Sequence, residues 1–179
     1  MAPKPAFTPE KRFAVPMAWA PRLSPHHAPR TQPVTAIVLH ADASAKIEAT
    51  LNWLRDPASK VSYHVVVSRT GAVFSVVHPD EKAYHAGESE LDGVKYLNGF
   101  SIGVSLSNKN DGKEPYPSIQ VASAVRVCEM FCRHYGIPVA RIVTHAQVAT
   151  PPGRKTDPLG LDVEAFRAAV TRSLTGKVA

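Results

Sequence analysis

Apolar positions recur along this chain with two spacings, and the switches between them mark its elements. Residues 34–39 (VTAIVL) are a nearly unbroken apolar run, which reads as a buried strand ending at His40. Ser44 is a suitable N-cap for a helix to about Arg55, with Ile47, Leu51 and Leu54 on one face and Asp56-Pro57 stopping it. Residues 63–68 and 72–77 are β-rich runs around Arg69-Thr70-Gly71, a hairpin signal. Residues 79–100, rich in Gly, Glu, Asp and Asn, read as a long loop, and long loops in compact domains are often functional. Residues 101–106 (SIGVSL) predict another strand, and residues 108–117 a polar loop. Ser118 then caps a helix to Tyr135 whose apolar stripe is Val121, Val125, Cys128, Cys132 and Tyr135. Gly136 is its natural C-terminal stop, and Pro138 prevents continuation. Residues 141–144 predict a short strand ending at His145, followed by a loop over 146–160. Asp162 caps a last helix with Val163, Phe166, Val170 and Leu174 inward.

Strands alternating with helices predict an α/β fold: a mixed central β-sheet flanked by helices. In such sheets ligands gather in loops at strand ends, which is where His40 and His145 fall. Before this pattern begins, residues 1–33 hold eight prolines (Pro3, Pro5, Pro9, Pro16, Pro21, Pro25, Pro29 and Pro33) that forbid a continuous helix. The chain therefore divides into a Pro-rich basic arm, 1–33, and a folded domain, 34–179. Phe7, Phe13, Met17 and Trp19 are apolar anchors within the arm, and predict that it lies extended along the domain surface.

Composition changes this picture little. The 179 residues suffice for one domain with its own core, and 44% hydrophobic with 20% charged residues is an ordinary globular balance. No apolar run approaches the length of a membrane span, so no integral membrane segment is expected. The first 33 residues lack a signal-peptide pattern, so synthesis in the cytoplasm is expected. Of the net charge of +6, the arm supplies +4, from Lys4, Lys11, Arg12, Arg22 and Arg30 against Glu10. A basic surface favours polyanions such as nucleic acid, anionic lipid or anionic wall polymers, and charge does not choose among them. No aromatic–basic interleaving of a reader motif is present, so a nucleic-acid partner is not expected. Cys128 and Cys132 share a helix face and read as small core residues, not as a disulfide framework.

Chemistry rests on the eight histidines. His26 and His27 in the arm read as solvated. His134 lies near a helix C-terminus, His78 in a loop, and His64 points to the opposite strand face from Tyr63. His40, His85 and His145 remain, at loop edges, together with Asp157 and a lysine two residues before it. Zinc accepts imidazole and carboxylate, and a catalytic site uses three protein ligands. Positions 40, 145 and 157 are far apart in sequence, so spacing leaves a zinc site one reading among several.

Five segments go further. IVLHADAS at 37–44, VSYHVVVSRTGAVFSVV at 61–77, AYHAGES at 83–89, NGFSIGVSL at 98–106 and THAQVATPPGRKTDP at 144–158 resemble, in that order, the type 2 N-acetylmuramoyl-L-alanine amidases. That group takes in the peptidoglycan recognition proteins and phage lysozyme-like amidases. The last segment is the most specific: a histidine, a Pro/Gly-rich turn, then Lys-x-Asp-Pro.

The resemblance implies a peptidoglycan recognition protein-like fold and a zinc-dependent enzyme that cuts the amide between N-acetylmuramic acid and L-alanine. It implies His40, His145 and Asp157 as zinc ligands, Lys155 and Tyr63 as catalytic residues, and His85 and Asn98 as substrate-binding residues. Peptidoglycan or a muropeptide is then the partner, acted on as wall or as wall fragment, by an enzyme expected to work as a monomer. Ser105 stands where some bacterial members carry a glutamate, which follows the members that use the tyrosine instead. The rival reading is a module that binds wall fragments without cutting. Such members typically lack part of the metal triad, and all three positions are filled here.

Overall fold

The computed structural model describes residues 24–44 and 46–176. In chain order its strands are β1 (His27–Pro29), β2 (Ala36–Ala41), β3 (Val65–Val67), β4 (Val73–Ser75), β5 (Glu81–Ala83), β6 (Glu90–Leu91), β7 (Val94–Lys95), β8 (Ser101–Leu106) and β9 (Ile142–Thr144). Its helices are α1 (Ile47–Arg55), α2 (Ser118–Tyr135), α3 (His145–Val148) and α4 (Val163–Thr175). The central sheet has five strands in the order β4-β3-β8-β2-β9. β2 runs parallel to both β8 and β9, β3 parallel to β8, and β4 antiparallel to β3. The fold is the expected mixed α/β architecture.

Alternation along the strands gives the sheet two different faces. Ile37 and Leu39 of β2, Val65 and Val67 of β3, and Ile102, Val104 and Leu106 of β8 bury into one cluster with Val125, Cys128, Phe131 and Cys132 of α2 and Phe166 and Val170 of α4. Each of these side chains contributes on the order of 1.5–3 kcal/mol when fully buried. The intervening residues point the other way. Val38 packs with Ala86, Leu97, Phe100, Val143 and Val148, and Val66 packs with Leu51, Leu54, Val76, Val77 and Ala83. His40 shares the face of Val38, two residues on, and His64 that of Val66. The predicted site residues therefore gather on the face turned away from α2 and α4, under α1 and the segment 79–100.

Several boundaries differ from the sequence pattern. The stretch 79–100, expected as a loop, contains β5, the β6–β7 hairpin and a 3-10 turn at Leu97–Gly99. These strands are two or three residues long, too short to print a period on the sequence. α1 begins only at Ile47, because the Ser44 backbone N–H turns back to Asp42 Oδ1 at 3.2 Å. Ser118 is the first residue of α2 and makes no capping hydrogen bond. Asp162 does cap α4, accepting from the Ala165 N–H at 2.9 Å.

Within residues 24–33, Ser24 and His26 are buried against the domain and residues 31–33 are exposed. β1 pairs antiparallel with β5. His26, expected to be solvated, is buried, with Nε2 2.9 Å from the Asp56 carbonyl oxygen. The Arg30 guanidinium donates to the carbonyl oxygens of Pro79 (2.7 Å), Gly99 (3.2 Å) and Ser101 (2.8 Å). The proposed anchors Phe7, Phe13, Met17 and Trp19 lie outside the described residues. Cys128 and Cys132 are buried free thiols, as expected of core residues. No helix among the described residues is long and apolar enough to cross a membrane.

Candidate metal centre

His40 is the fifth residue of β2 and is buried beside Ser105 of β8, its partner in register. His145 follows β9 directly, as the first residue of α3. Thr144 fixes that turn: its hydroxyl accepts from the Gln147 N–H at 3.2 Å, and the Gln147 side chain accepts from the Thr144 N–H at 2.9 Å. Such a reciprocal cap ties the first turn of even a short helix. Asp157 lies twelve residues on, and the Ala146 N–H donates to its carbonyl oxygen at 2.9 Å. This backbone bond closes the loop and sets Asp157 against His145.

The three side chains converge. His40 Nδ1 is 3.1 Å from Asp157 Oδ2, and His145 Nδ1 is 3.1 Å from Asp157 Oδ1. One ligand atom from each residue lies within 4.8 Å of the others, and all three residues are buried. Burial lowers the His40 pKa to about 4, against the opposing pull of Asp157, so its ring is neutral at neutral pH.

The remaining hydrogen bonds test whether this cluster fits a cation. His145 Nε2 lies 3.1 Å from the Ala86 carbonyl oxygen, which only accepts, so this nitrogen carries the ring proton. With one ring proton so placed, Nδ1 is left as a lone pair, and only a second proton or a metal ion would put positive charge there. It faces a carboxylate oxygen, which is also a bare lone pair. Acceptors so placed repel unless positive charge lies between them. Two imidazole nitrogens and one carboxylate, converging and buried, are a fitting donor set for zinc.

A groove of about 530 Å³ opens onto this cluster. Tyr63, His85, His145, Lys155 and Asp157 line it, with Asp42, Thr50 and Trp53 along the α1 side. The Tyr63 ring sits 5.1 Å from that of His40, centroid to centroid. Burial, reinforced by the negative charge of Asp157, raises the Tyr63 pKa well above the ordinary tyrosine value, so its hydroxyl stays a proton donor. Lys155 is exposed at the rim. Ser105 Oγ is buried, with the Tyr63 hydroxyl as its polar neighbour.

Five of the seven predicted site residues, Tyr63, His85, His145, Lys155 and Asp157, line the groove, and the other two, His40 and Asn98, lie behind it. His85 touches the groove, but its ring is buried against His40, with His85 Nδ1 3.0 Å from His40 Nε2. Asn98 does not line the groove. Its amide oxygen accepts from the N–H groups of His85 (3.0 Å) and Ala86 (2.7 Å). Sequence reasoning gives no role to two supporting residues, Arg154 and Ser101, while Asp42, two residues after His40, reads as a turn or cap residue and is one. Asp42 accepts from Thr50, Ser107, Ser44 and Asn108 and so ties α1 to the ends of β2 and β8. Arg154 donates to the carbonyl oxygens of Ala86, Glu88 and Thr150, fastening the 150–157 loop to the 86–88 segment. Ser101 supports His85 from below. The alternation Ser101, Gly103, Ser105 within an otherwise apolar strand was the signal for the last.

The family profile of the type 2 N-acetylmuramoyl-L-alanine amidases matches residues 30–160. The 1,6-anhydro-N-acetylmuramyl-L-alanine amidase AmpD of Haemophilus influenzae is 32% identical over 100 residues, 55% of this chain and 52% of that protein. AmpD of Enterobacter cloacae is 29% identical over 170 residues, 84% of this chain and 89% of that protein. The extent matched thus varies from about half to nearly all of these relatives. Among solved structures, the amidase AmiD of Escherichia coli, in complex with the substrate anhydro-N-acetylmuramic acid-L-Ala-D-γ-Glu-L-Lys, superposes with a TM-score of 0.68 at 25% identity. The overlap covers 76% of this chain and 57% of that one.

Proposed function

We propose that this chain, which belongs to the type 2 N-acetylmuramoyl-L-alanine amidase family, hydrolyses the amide between N-acetylmuramic acid and L-alanine with a zinc ion held by His40, His145 and Asp157. The observation that carries the reading is the buried convergence of three lone-pair donors at the floor of an open groove. A module that only bound wall fragments would have no use for this cluster, since burying unpaired acceptors together is costly.

An unactivated amide is a poor electrophile and neutral water a poor nucleophile; zinc supplies a Lewis acid that polarises the one and acidifies the other. The chain's own residues supply the rest. Burial keeps the Tyr63 hydroxyl protonated beside His40, ready to donate to the oxygen that becomes negative as the carbonyl is attacked. Lys155, two residues before Asp157 on the groove wall, offers a second cationic donor to the same oxygen. Each such donor is worth roughly 10²–10³ in rate. Ser105 puts no carboxylate on the site face of β8; the Tyr63 hydroxyl passes its own proton toward the leaving amine as it takes up the one released by the attacking water. The substrate is a muropeptide whose sugar and stem peptide lie along the groove.

Purified protein is incubated with an N-acetylmuramyl-peptide, in its 1,6-anhydro and its ordinary reducing form, and the products are weighed by mass spectrometry. We expect release of a peptide with a free L-alanine amine, loss of that activity in chelator, and its return with zinc. Intact substrate with a zinc-loaded protein sinks the hydrolase reading, and release undiminished by chelator sinks the metal.

A further inference from the structure

We propose that Ser101 and His85 are positioning residues that fix which ring nitrogen of His40 carries its proton, and so present the His40 Nδ1 lone pair to the metal. The second half rests on the zinc reading above; the first half stands on proton counting alone.

The count starts at the Leu97 carbonyl, which can only accept. Ser101 Oγ lies 2.6 Å from it, a separation at which two oxygens need a proton between them, and only Ser101 has one to give. The hydroxyl has spent its proton there, so toward His85 Nε2, at 3.3 Å, it can only accept. His85 therefore carries its proton on Nε2, and its Nδ1 is a lone pair. His40 Nε2 is 3.0 Å from that lone pair and must donate to it. His40 Nδ1 is left bare, facing Asp157 Oδ2 at 3.1 Å. A backbone carbonyl in the 3-10 turn thus dictates, three hydrogen bonds away, the tautomer of a ligand. The reversed chain would leave Ser101 and Leu97 as two acceptors in contact, and would put a proton on the nitrogen that has to bind metal.

The surroundings are shaped for this chain. Ser101, His85 and His40 are all buried, so water does not substitute for a missing member. Gly103 makes room for the His85 ring: a Cβ there would lie 2.6 Å from His85 Cγ. Asn98 grips the backbone of both His85 and Ala86. Ala86, next to His85, supplies the carbonyl that sets His145. Two consecutive residues therefore orient both histidine ligands. Groups behind ligating histidines commonly change metal affinity by about 10–100-fold when removed.

Long-range ¹H–¹⁵N NMR on the metal-free full-length protein near neutral pH reads the tautomers directly. We expect His40 and His85 both as the Nε2–H form. Zinc affinity, measured by competition with a chromophoric chelator, should fall by about 10-fold in Ser101→Ala and by about 10–100-fold in His85→Ala. Ser101→Thr, which keeps the hydroxyl, should restore the wild-type tautomer and recover affinity. Finding His40 as Nδ1–H in the wild-type protein overturns the inference even if the variants do not fold. So does a Ser101→Ala protein with unchanged tautomers and zinc affinity within about two-fold of wild type. Failure of wild type to bind zinc would count against the metal reading instead, while the tautomer spectrum still decides the role of Ser101.

Discussion

Tyr63 and Ser105 lie on the same side of the sheet as His40, and their chemistry is opposite. The tyrosine hydroxyl is held protonated by burial and by the charge of Asp157, against a weaker opposing pull from Ser105; the serine hydroxyl is small, buried and uncharged. Replacing Tyr63 by Phe removes a donor from the groove at little cost in shape, so kcat should fall by roughly 10²–10³ while zinc stays bound. Replacing Ser105 by Ala removes a buried hydroxyl and at most one neutral hydrogen bond, so stability should change by no more than about 1 kcal/mol and activity should persist. Steady-state kinetics with metal analysis checks both, and a fully active Tyr63→Phe enzyme beside a dead Ser105→Ala enzyme would reverse the roles. Residues of this kind were legible in the sequence through motif alone. Lys-x-Asp-Pro and the strand-end histidines pointed to a metal; nothing in the letters His85 and Asn98 said that one would face a ligand and the other the backbone behind it. That distinction depends on where a short 3-10 turn and two-residue strands place the chain, and those elements leave no periodic trace.

Among the elements, β8 shows how one strand serves two purposes. Its apolar positions, Ile102, Val104 and Leu106, build the core with α2 and α4, and its small positions, Ser101, Gly103 and Ser105, face the site. The strand and its limits were readable from SIGVSL, as were α2 and α4 from their stripes, because long periodic segments print clearly. The use of its small face was not read, although glycine within a strand commonly marks the close approach of another group. Gly103 does not lie in the left-handed region, so a methyl group there acts through crowding alone. Gly103→Ala should push the His85 ring off its seat, at about 1–3 kcal/mol of stability, and weaken zinc binding along with it. Chemical denaturation of the metal-free protein, set beside chelator competition on the same sample, measures the two effects. Wild-type values in both would mean that the ring shifts without consequence.

Across the whole molecule, the half-buried Arg30 and three buried histidines run in line from the N-terminal segment to His40. Arg30 Nη2 lies 2.7 Å from His64 Nε2, the His64 and His85 rings are 5.7 Å apart, and those of His85 and His40 are 5.1 Å apart. Arg30 was readable only as arm charge; its insertion among the carbonyls of residues 79, 99 and 101 depends on contacts distant in sequence. The line has a cost in acid. His64 is held neutral by burial first and by Arg30 next, with only the Glu81 carbonyl pulling the other way and His40 and His78 adding repulsion. Burial likewise lowers His85, with His40 and His64 as the next contributors, and it lowers His40 to about 4. Unfolded, each ring takes up a proton near its ordinary pKa of 6.5. Folded, each resists it. Below pH 6.5 the unfolded chain therefore binds more protons than the native one, and stability must fall as pH falls. Each histidine that stays neutral in the fold contributes about 1.4 kcal/mol of loss per pH unit, and for His40 the loss levels off near pH 4, where the folded ring also protonates. Urea denaturation of the metal-free protein at a series of pH values should show a midpoint that is steady above neutrality and declines steeply from 6.5 downward. A midpoint unchanged between neutrality and about pH 5 would mean that these rings titrate in the native state and are not held neutral as the structure requires.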